Sequence, residues 1–162
     1  MLDIILAPLE AEQPGLCQSV RQRFAETRLD LDSDELYALK EALQDAPGEY
    51  PPGWWLDPAQ SRWWLCLHVD WKAWDEVEWQ VQAMARTLKL EGGGFVSRVA
   101  AGPAPLMLDV LAEASAWLRL LGHGLLYLDT EGDEYLAVPV RQELLDAAAD
   151  IARRLNIPTF LA

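Results

Sequence analysis

The stretch GLLYLDTEGDEYLAVP, residues 124–139, decides the fold of this chain. Its two apolar runs, GLLYLD and EYLAVP, flank a short acidic insert at residues 130–133, and this pattern is typical of a β-hairpin. Residues 129–134 carry four carboxylates around Gly132, a set that would also suit a cation. A hairpin turn accounts for the same composition, because glycine and aspartate are favoured in turns. The sequence therefore predicts two paired strands joined by a polar turn.

Upstream of the hairpin, RWWLCLHVDW at residues 62–71 is the clearest single strand. Alternate residues of a strand point to opposite faces of the sheet. One face would carry Trp63, Leu65, Leu67, Val69 and Trp71, and the other Arg62, Trp64, Cys66, His68 and Asp70. We expect this strand to lie at the centre of the sheet.

Apolar residues at helical spacing predict five helices around this sheet. The first begins at Pro14, and the second begins at the N-cap Asp32, with Glu35 completing a capping box. The predicted buried stripes are Leu16, Val20 and Phe24; Leu36, Leu39 and Leu43; Trp74, Val77, Val81, Ala85 and Leu88; Met107, Val110, Leu111, Ala114, Trp117, Leu118 and Leu121; and Leu144, Leu145, Ala148, Ala152 and Leu155. Short strands are expected at residues 95–99 and 157–161.

These elements together indicate an α+β fold, a mixed β-sheet packed with amphipathic helices in a single compact domain. A chain of 162 residues with 51% hydrophobic content is long enough to bury one sizeable core. We expect a helical N-terminal part at residues 1–47, a Pro- and Trp-rich loop at 48–61, and the sheet with its helices at 62–162.

Two segments resemble an uncharacterised bacterial protein family of unknown function. They are HVDWKAWDEV at residues 68–77 and GHGLLYLDTEGDEYLAVPV at residues 122–140, followed by a closing helix. The resemblance covers roughly residues 60–160. It implies the fold of that family and brings no activity, cofactor or catalytic residue with it.

The charge and the cysteine content limit the cellular compartments and the classes of binding partner that we expect. Thirteen basic and 26 acidic residues give a net charge of −13, which repels phosphate backbones and anionic lipids, so we expect neither nucleic acid nor a membrane as a partner. The N-terminal stretch lacks the basic region of a secretory signal, and charges interrupt every apolar run. With only Cys17 and Cys66, which read as reduced thiols, the sequence favours a cytoplasmic protein.

Two groups of residues have spacings similar to those of known functional sites, one to a catalytic relay and the other to a calcium-binding loop. Cys66, His68 and Asp70 offer a thiol, a base and a carboxylate on one strand face, but alternate positions lie about 6.5–7 Å apart, so a direct relay is disfavoured. Residues 30–41 carry aspartates at calcium-loop spacing, yet Glu35 stands where such a loop needs glycine. We therefore predict no catalytic residue, no metal and no cofactor.

Seven of the eight tryptophans fall between residues 54 and 79. By pattern Trp63, Trp71 and Trp74 belong to the core, whereas Trp79 lies opposite the apolar stripe of its helix. The candidate ligand or interaction residues are Trp54, Trp55, Trp64, His68, Asp70 and Trp79. A second layer of the same domain could cover Trp54, Trp55, Trp64 and Trp79, because large aromatic side chains are mostly buried. Since tryptophan is also enriched at binding hot spots, the alternative is that Trp79 lies at an interface with a protein partner or with a second copy in a homodimer.

Three classes of function follow from these features. We favour a non-enzymatic, acidic bacterial interaction protein, such as an immunity-type or inhibitor partner of a basic protein, because charge complementarity speeds encounter. The alternatives are a small-ligand or carbohydrate-binding module that stacks its ligand on Trp54, Trp55 or Trp64, and an enzyme centred on His68 and Asp70.

Overall fold

The computed structural model describes residues 1–29, 34–45, 61–101 and 105–160. In these ranges the helices are α1 (Leu2–Leu6), α2 (Pro14–Arg28), α3 (Glu35–Leu43), α4 (Glu76–Thr87), α5 (Met107–Leu120) and α6 (Leu145–Arg154). The strands are β1 (Leu67–Asp70), β2 (His123–Leu128), β3 (Glu134–Arg141) and β4 (Thr159–Phe160), and a 3-10 turn at Gln142–Leu144 follows β3. The predicted α+β class is confirmed.

The hairpin of β2 and β3 forms the middle of the sheet, as its sequence predicts. Leu125 pairs with Pro139 and Leu128 with Leu136 in an antiparallel register. The strand order is β1-β3-β2-β4. Every pairing among the described strands is antiparallel, where we expected a mixed sheet.

Helices cover both faces of the sheet, which explains why β2 is buried throughout. One face packs against α1, α2, α3 and α6 through Leu126, Leu128, Leu136, Val138 and Val140. The other packs against α4 and α5 through Leu67, Val69, Leu125, Tyr127 and Ala137. Both faces of β2 are therefore buried, and burial of this kind supplies most of the stability of a small domain.

The predicted strand at residues 62–71 differs from the observed one. The strand itself is shorter, Leu67–Asp70, and lies at an edge of the described sheet, not at its centre. Before it, Leu65 N–H donates to Leu43 O at 2.7 Å, so the preceding residues pair with the end of α3 instead. This change of partner breaks the alternation: Trp63 belongs to the core under α3, whereas Val69 belongs to the core under α4.

The tryptophans predicted to be core divide accordingly. Trp63 is 4% exposed, as predicted, and its indole N–H donates to Ala42 O at 3.0 Å. Trp71 is 50% exposed because it begins the turn after β1, so its assignment to the core is wrong. Trp74 is only partly buried and lies before α4 begins. Trp64, which had no predicted core face, is 3% exposed.

Several element ends also differ from expectation. The N-cap of α3 is Asp34, whose carboxylate accepts from Tyr37 N–H at 2.7 Å, and not Asp32. Helix α4 ends at Thr87, before the glycines expected to stop it, and Lys89 takes a left-handed φ of 54°. Residues 95–99 form no strand. None of the helices in the described ranges is long and apolar enough to cross a membrane.

Candidate functional site

The most distinctive surface feature lies between α4 and the chain that returns along it, residues 91–101. This return segment has no regular structure over most of its length. Against α4 it leaves an open hollow of about 380 Å³, which we call the tryptophan hollow. Its lining comprises Trp74, Asp75, Glu78, Trp79 and Gln82 on the α4 side and Val96, Ser97, Ala100 and Ala101 on the return segment.

Trp79 occupies the helix face where the sequence placed it, away from the buried stripe of Val77 and Val81. Its indole is nevertheless only partly exposed. The ring meets that of Trp64 edge-on, with centroids 5.0 Å apart and planes inclined at 61°. The protein's own core thus covers one part of Trp79, and the rest of the side chain lines the hollow.

The carboxylates of Asp75 and Glu78 lie beside the tryptophans, and Glu78 also holds the return segment against α4. Glu78 Oε2 accepts from Ser97 N–H at 3.2 Å. Gln82 Nε2 donates to Phe95 O at 2.8 Å. These contacts tie α4 to the return segment at two points one helical turn apart, while Asp75 remains exposed at the rim.

Helix α5 holds the return segment from the other side through one carboxylate. Glu113 Oε2 accepts from Ser97 Oγ at 2.7 Å and from Val99 N–H at 3.2 Å, and its Oε1 accepts from Arg98 N–H at 3.1 Å. Burial alone would raise the pKa of Glu113, but these three donors hold it below its ordinary value. The wall of the hollow is therefore fixed by hydrogen bonds to a charged group, which are stronger than neutral ones.

A second hollow lies further along α4 and has a different chemistry. We call it the glycine hollow; it measures about 510 Å³ and is lined by Gln82, Ala85, Arg86, Lys89, Leu90, Glu91, Gly92, Gly93, Gly94 and Phe95. Gln82 lines both this hollow and the tryptophan hollow. Along the chain, the acidic residues Asp75 and Glu78 of the tryptophan hollow are followed by the basic residues Arg86 and Lys89 of the glycine hollow.

The predicted trio on the first strand does not converge. Cys66 lies in the core, where Gln44 Nε2 donates to its sulfur at 3.1 Å and burial raises the pKa of its thiol to about 12. His68 Nε2 instead lies 2.5 Å from Glu134 Oε2 on β3. Asp70 is exposed and accepts from Lys72 N–H at 2.9 Å in a turn.

The other predicted site residues lie elsewhere or outside the described ranges. Trp54, Trp55 and the aspartates at positions 30 and 32 fall among the residues that the structure leaves undescribed. In the hairpin turn, Asp129 Oδ1 accepts from Glu131 N–H at 2.9 Å, as in an ordinary turn. Across residues 1–29, 34–45, 61–101 and 105–160, no three His, Cys, Asp or Glu side chains are grouped so as to hold a metal ion.

Comparison with known proteins places the chain in a family. Residues 5–162 match the family described as "Domain of unknown function (DUF6630)". The chain belongs to this DUF6630 family. The match confirms the resemblance expected over residues 60–160 and extends it to the N-terminal helices. No curated protein and no solved structure matches the chain.

Within this DUF6630 domain, sequence reasoning found one member of the hollow and missed the others. Trp79 stood out because its position contradicted the helical stripe. The others gave no such signal, because Trp74 was assigned to the buried stripe and Asp75 and Glu78 have the spacing of ordinary solvated positions on a helix surface.

Proposed function

We propose that this protein is a non-enzymatic interaction protein whose tryptophan hollow binds a cationic side chain on a basic segment of another protein. The observation that carries the proposal is the lining of the hollow, in which Trp74 and Trp79 lie together with Asp75 and Glu78. A lysine or arginine side chain is attracted to the ring of tryptophan, by about 0.5–2 kcal/mol depending on its desolvation. Carboxylates beside the ring add charge complementarity.

The acidic residues retain capacity for a ligand. Among the described residues, each oxygen of Glu78 accepts one hydrogen bond, Oε2 from Ser97 N–H at 3.2 Å and Oε1 from Gln82 Nε2 at 3.4 Å. An ionised carboxylate offers about four acceptor sites, so further donors can be accommodated. An arginine is favoured over a lysine because its planar guanidinium stacks on indoles and bridges carboxylates.

Charge favours a basic partner over a second copy. In a two-fold dimer built on this hollow, Asp75 and Glu78 of one copy would approach the same residues of the other, and like charges repel. The net charge of −13 would speed encounter with a basic surface and disfavour nucleic acid and anionic membranes. We place this activity in the bacterial cytoplasm, because Cys17 and Cys66 form no disulfide and are buried as thiols.

The test uses a short peptide with blocked ends, acetyl-Gly-Arg-Gly-Gly-Gly-Gly-Gly-amide, titrated into ¹⁵N-labelled protein. The indole N–H resonances, assigned by single Trp→Phe substitutions, report each tryptophan separately. We expect those of Trp74 and Trp79 to shift, with a Kd of about 1 mM, since one cation–π contact with a nearby carboxylate supplies little more than about 2–4 kcal/mol. The same peptide with citrulline in place of arginine has nearly the same shape without the charge.

Two double variants separate local from overall charge. Asp75→Asn with Glu78→Gln neutralises the hollow and keeps an acceptor for Ser97 N–H, and we expect it to weaken binding at least about fivefold. Glu131→Gln with Asp146→Asn removes two exposed charges that do not line the hollow, and should leave Kd nearly unchanged. Equal shifts with the citrulline peptide, or shifts that spare both Trp74 and Trp79, would contradict the proposal.

A further inference from the structure

We infer that the outer face of α5 is the contact surface of a symmetric homodimer, in which α5 packs antiparallel against α5 of a second copy. The outer face comprises six exposed residues: Leu108, Asp109, Ala112, Ala116, Arg119 and Leu120. None of these residues lines the tryptophan hollow, so the inference stands apart from the proposed function.

The outer face is apolar where the exposed side of a helix is ordinarily polar. Leu108 is 57% exposed and Leu120 is 85% exposed, and neither belongs to the buried stripe of α5. Ala112 and Ala116 lie between them, one helical turn apart, and are exposed as well. Covering this surface would remove apolar area from water, which favours association.

The spacing of the residues suits a second helix. Asp109, Ala112, Ala116 and Arg119 follow one another at intervals of three, four and three residues. This is the spacing of a seam along which two helices pack side by side, crossing at about 20°. The alanines in the middle allow the helix axes to approach to about 8 Å, the short end of the usual range. Leu108 and Leu120 flank the two ends of the seam.

The order of the charges selects a second copy in antiparallel orientation. A two-fold dimer uses the same patch on both subunits, so the patch must be complementary to itself. When α5 is turned end for end, Asp109 of each copy faces Arg119 of the other, and Ala112 faces Ala116. The opposite charges therefore meet at both ends of the seam, whereas a parallel arrangement would bring like charges together.

Arg119 also interacts within its own chain. A guanidinium carries five N–H donors, and Arg21 of this protein already serves two carboxylates, those of Asp3 and Glu10. Arg119 can therefore keep its internal contact while it faces Asp109 of the other copy.

The charge of the whole protein and the size of the face limit the strength of the dimer. Each copy carries a net charge of −13, although the outer face itself has one acidic and one basic residue. At 0.15 M salt, charges more than about 8 Å apart are largely screened. Helix α5 has 14 residues and is about 21 Å long, so one helix pair buries less than a standard interface. We expect a weak dimer, with a Kd of about 10–100 µM.

The experiment is sedimentation equilibrium of the full chain at 0.15 M salt, from about 5 µM to about 1 mM, with two charge-reversed variants. Asp109→Arg places arginine against arginine at both ends of the seam, and Arg119→Asp places aspartate against aspartate. We expect each variant alone to associate at least about tenfold more weakly than the wild type. Mixed in equal amounts, the two should associate as tightly as the wild type, because the mixed dimer has opposite charges at each end. Asp109→Arg also lowers the net negative charge, so overall repulsion alone predicts the opposite change.

A matched pair of variants tests the position of the contact without altering Arg119. Ala116→Arg places a bulky side chain in the middle of the seam and should abolish the dimer. Ala147→Arg makes the same change on an exposed position of α6 and should leave the Kd unchanged. Melting curves establish that each variant is folded, and if Arg119→Asp does not fold, this second pair decides.

The inference is overturned if the wild type stays monomeric at about 1 mM, which would leave the outer face to a different protein. It is equally overturned if Ala116→Arg or either charge-reversed variant dimerises as the wild type does. Two folded charge-reversed variants that remain monomeric when mixed would also contradict it.

Discussion

The indole of Trp79 meets that of Trp64 edge-on at 5.0 Å, so the aromatic wall of the tryptophan hollow continues directly into the core. Trp64 is almost fully buried and Trp79 only partly. A wall backed by packed side chains keeps its shape when no ligand is present. If the hollow binds a ligand as proposed, a rigid wall of this kind would lose less conformational entropy on binding than a mobile one.

This contact predicts an intermediate cost for the substitution Trp79→Ala. A fully buried tryptophan loses about 3–5 kcal/mol on truncation, and an exposed one under about 0.5 kcal/mol, so partial burial against Trp64 should give about 1–3 kcal/mol. Urea unfolding measures it, with Trp79→Phe as the control that keeps an edge contact and should cost less. A loss below 0.5 kcal/mol would mean that the contact with Trp64 contributes nothing in solution.

Trp63 and Trp64 provide a matched pair for a second prediction. They are adjacent and similarly buried, but Trp63 Nε1 donates to Ala42 O, whereas Trp64 Nε1 has no hydrogen-bond partner in the described structure. An unpaired buried donor costs about 1–3 kcal/mol, and a hydrogen bond contributes about 0.5–1.5 kcal/mol. Trp63→Phe should therefore be more destabilising than Trp64→Phe by about 1–3 kcal/mol in urea unfolding. Equal losses would indicate that the Trp64 N–H is satisfied by water.

The cysteines give a third prediction, a chemical one. Only the thiolate is a nucleophile, and burial raises the pKa of Cys66 to about 12 and the pKa of Cys17 above its ordinary value. Neither thiol should react with iodoacetamide in the native protein at pH 8, and both should react in denaturant, as mass spectrometry would show. The variant Cys17→Ala leaves Cys66 as the one thiol to follow. Rapid native labelling of Cys66 would contradict this account, because it would show an accessible and ionised thiol in the folded protein.

A fourth prediction concerns Gln80, which takes the place of a neighbouring strand at the edge of β1. Gln80 Oε1 accepts from His68 N–H at 2.7 Å, and Gln80 Nε2 donates to His68 O at 2.8 Å. Gln80→Met keeps the length of the side chain but leaves both backbone groups unpaired, so we expect a loss of about 2–6 kcal/mol, at about 1–3 kcal/mol for each group. Gln82→Met, on the same helix but with one such bond, is the comparison, and a smaller loss at position 80 than at 82 would contradict this account.

The sequence predicted those parts of the fold that depend on local pattern. The hairpin has apolar runs and a turn in one short stretch, and α5 shows seven apolar positions at helical spacing before Gly122, which takes a φ of 77°. The change of pairing partner before Leu67 was not predictable, because residues 63–67 are apolar on both faces and either partner gives the same pattern. A switch of partner between α3 and β3 is a tertiary effect.

The hollow was only partly predictable for a related reason. Its far wall follows no periodic pattern, and the bonds that hold it come from Glu78, Gln82 and Glu113. In sequence these residues look like ordinary solvated positions on helix surfaces. A polar side chain that binds a distant backbone group occupies the same positions in the helical repeat as one that binds water. Trp79 was found because a large apolar residue on a polar face breaks the pattern, whereas a glutamate there does not.

The last prediction is a pH dependence that arises from Glu113. Its hydrogen bonds from the return segment hold its folded pKa below that of the unfolded chain, so the unfolded state binds more protons in the interval between the two values. The stabilisation is then fully present above about pH 4.5, the ordinary range for a glutamate, and is lost as the pH falls through the lower folded pKa. Glu113→Gln, which cannot ionise, should be about 1–2 kcal/mol less stable than the wild type at pH 7. Urea unfolding from pH 7 to pH 3 should show this difference shrinking.

Ser97→Ala removes the shortest of the three hydrogen bonds, so this variant should show a smaller pH dependence than the wild type. A difference that stays constant down to pH 3 would show that the carboxylate does not hold the return segment in its charged form.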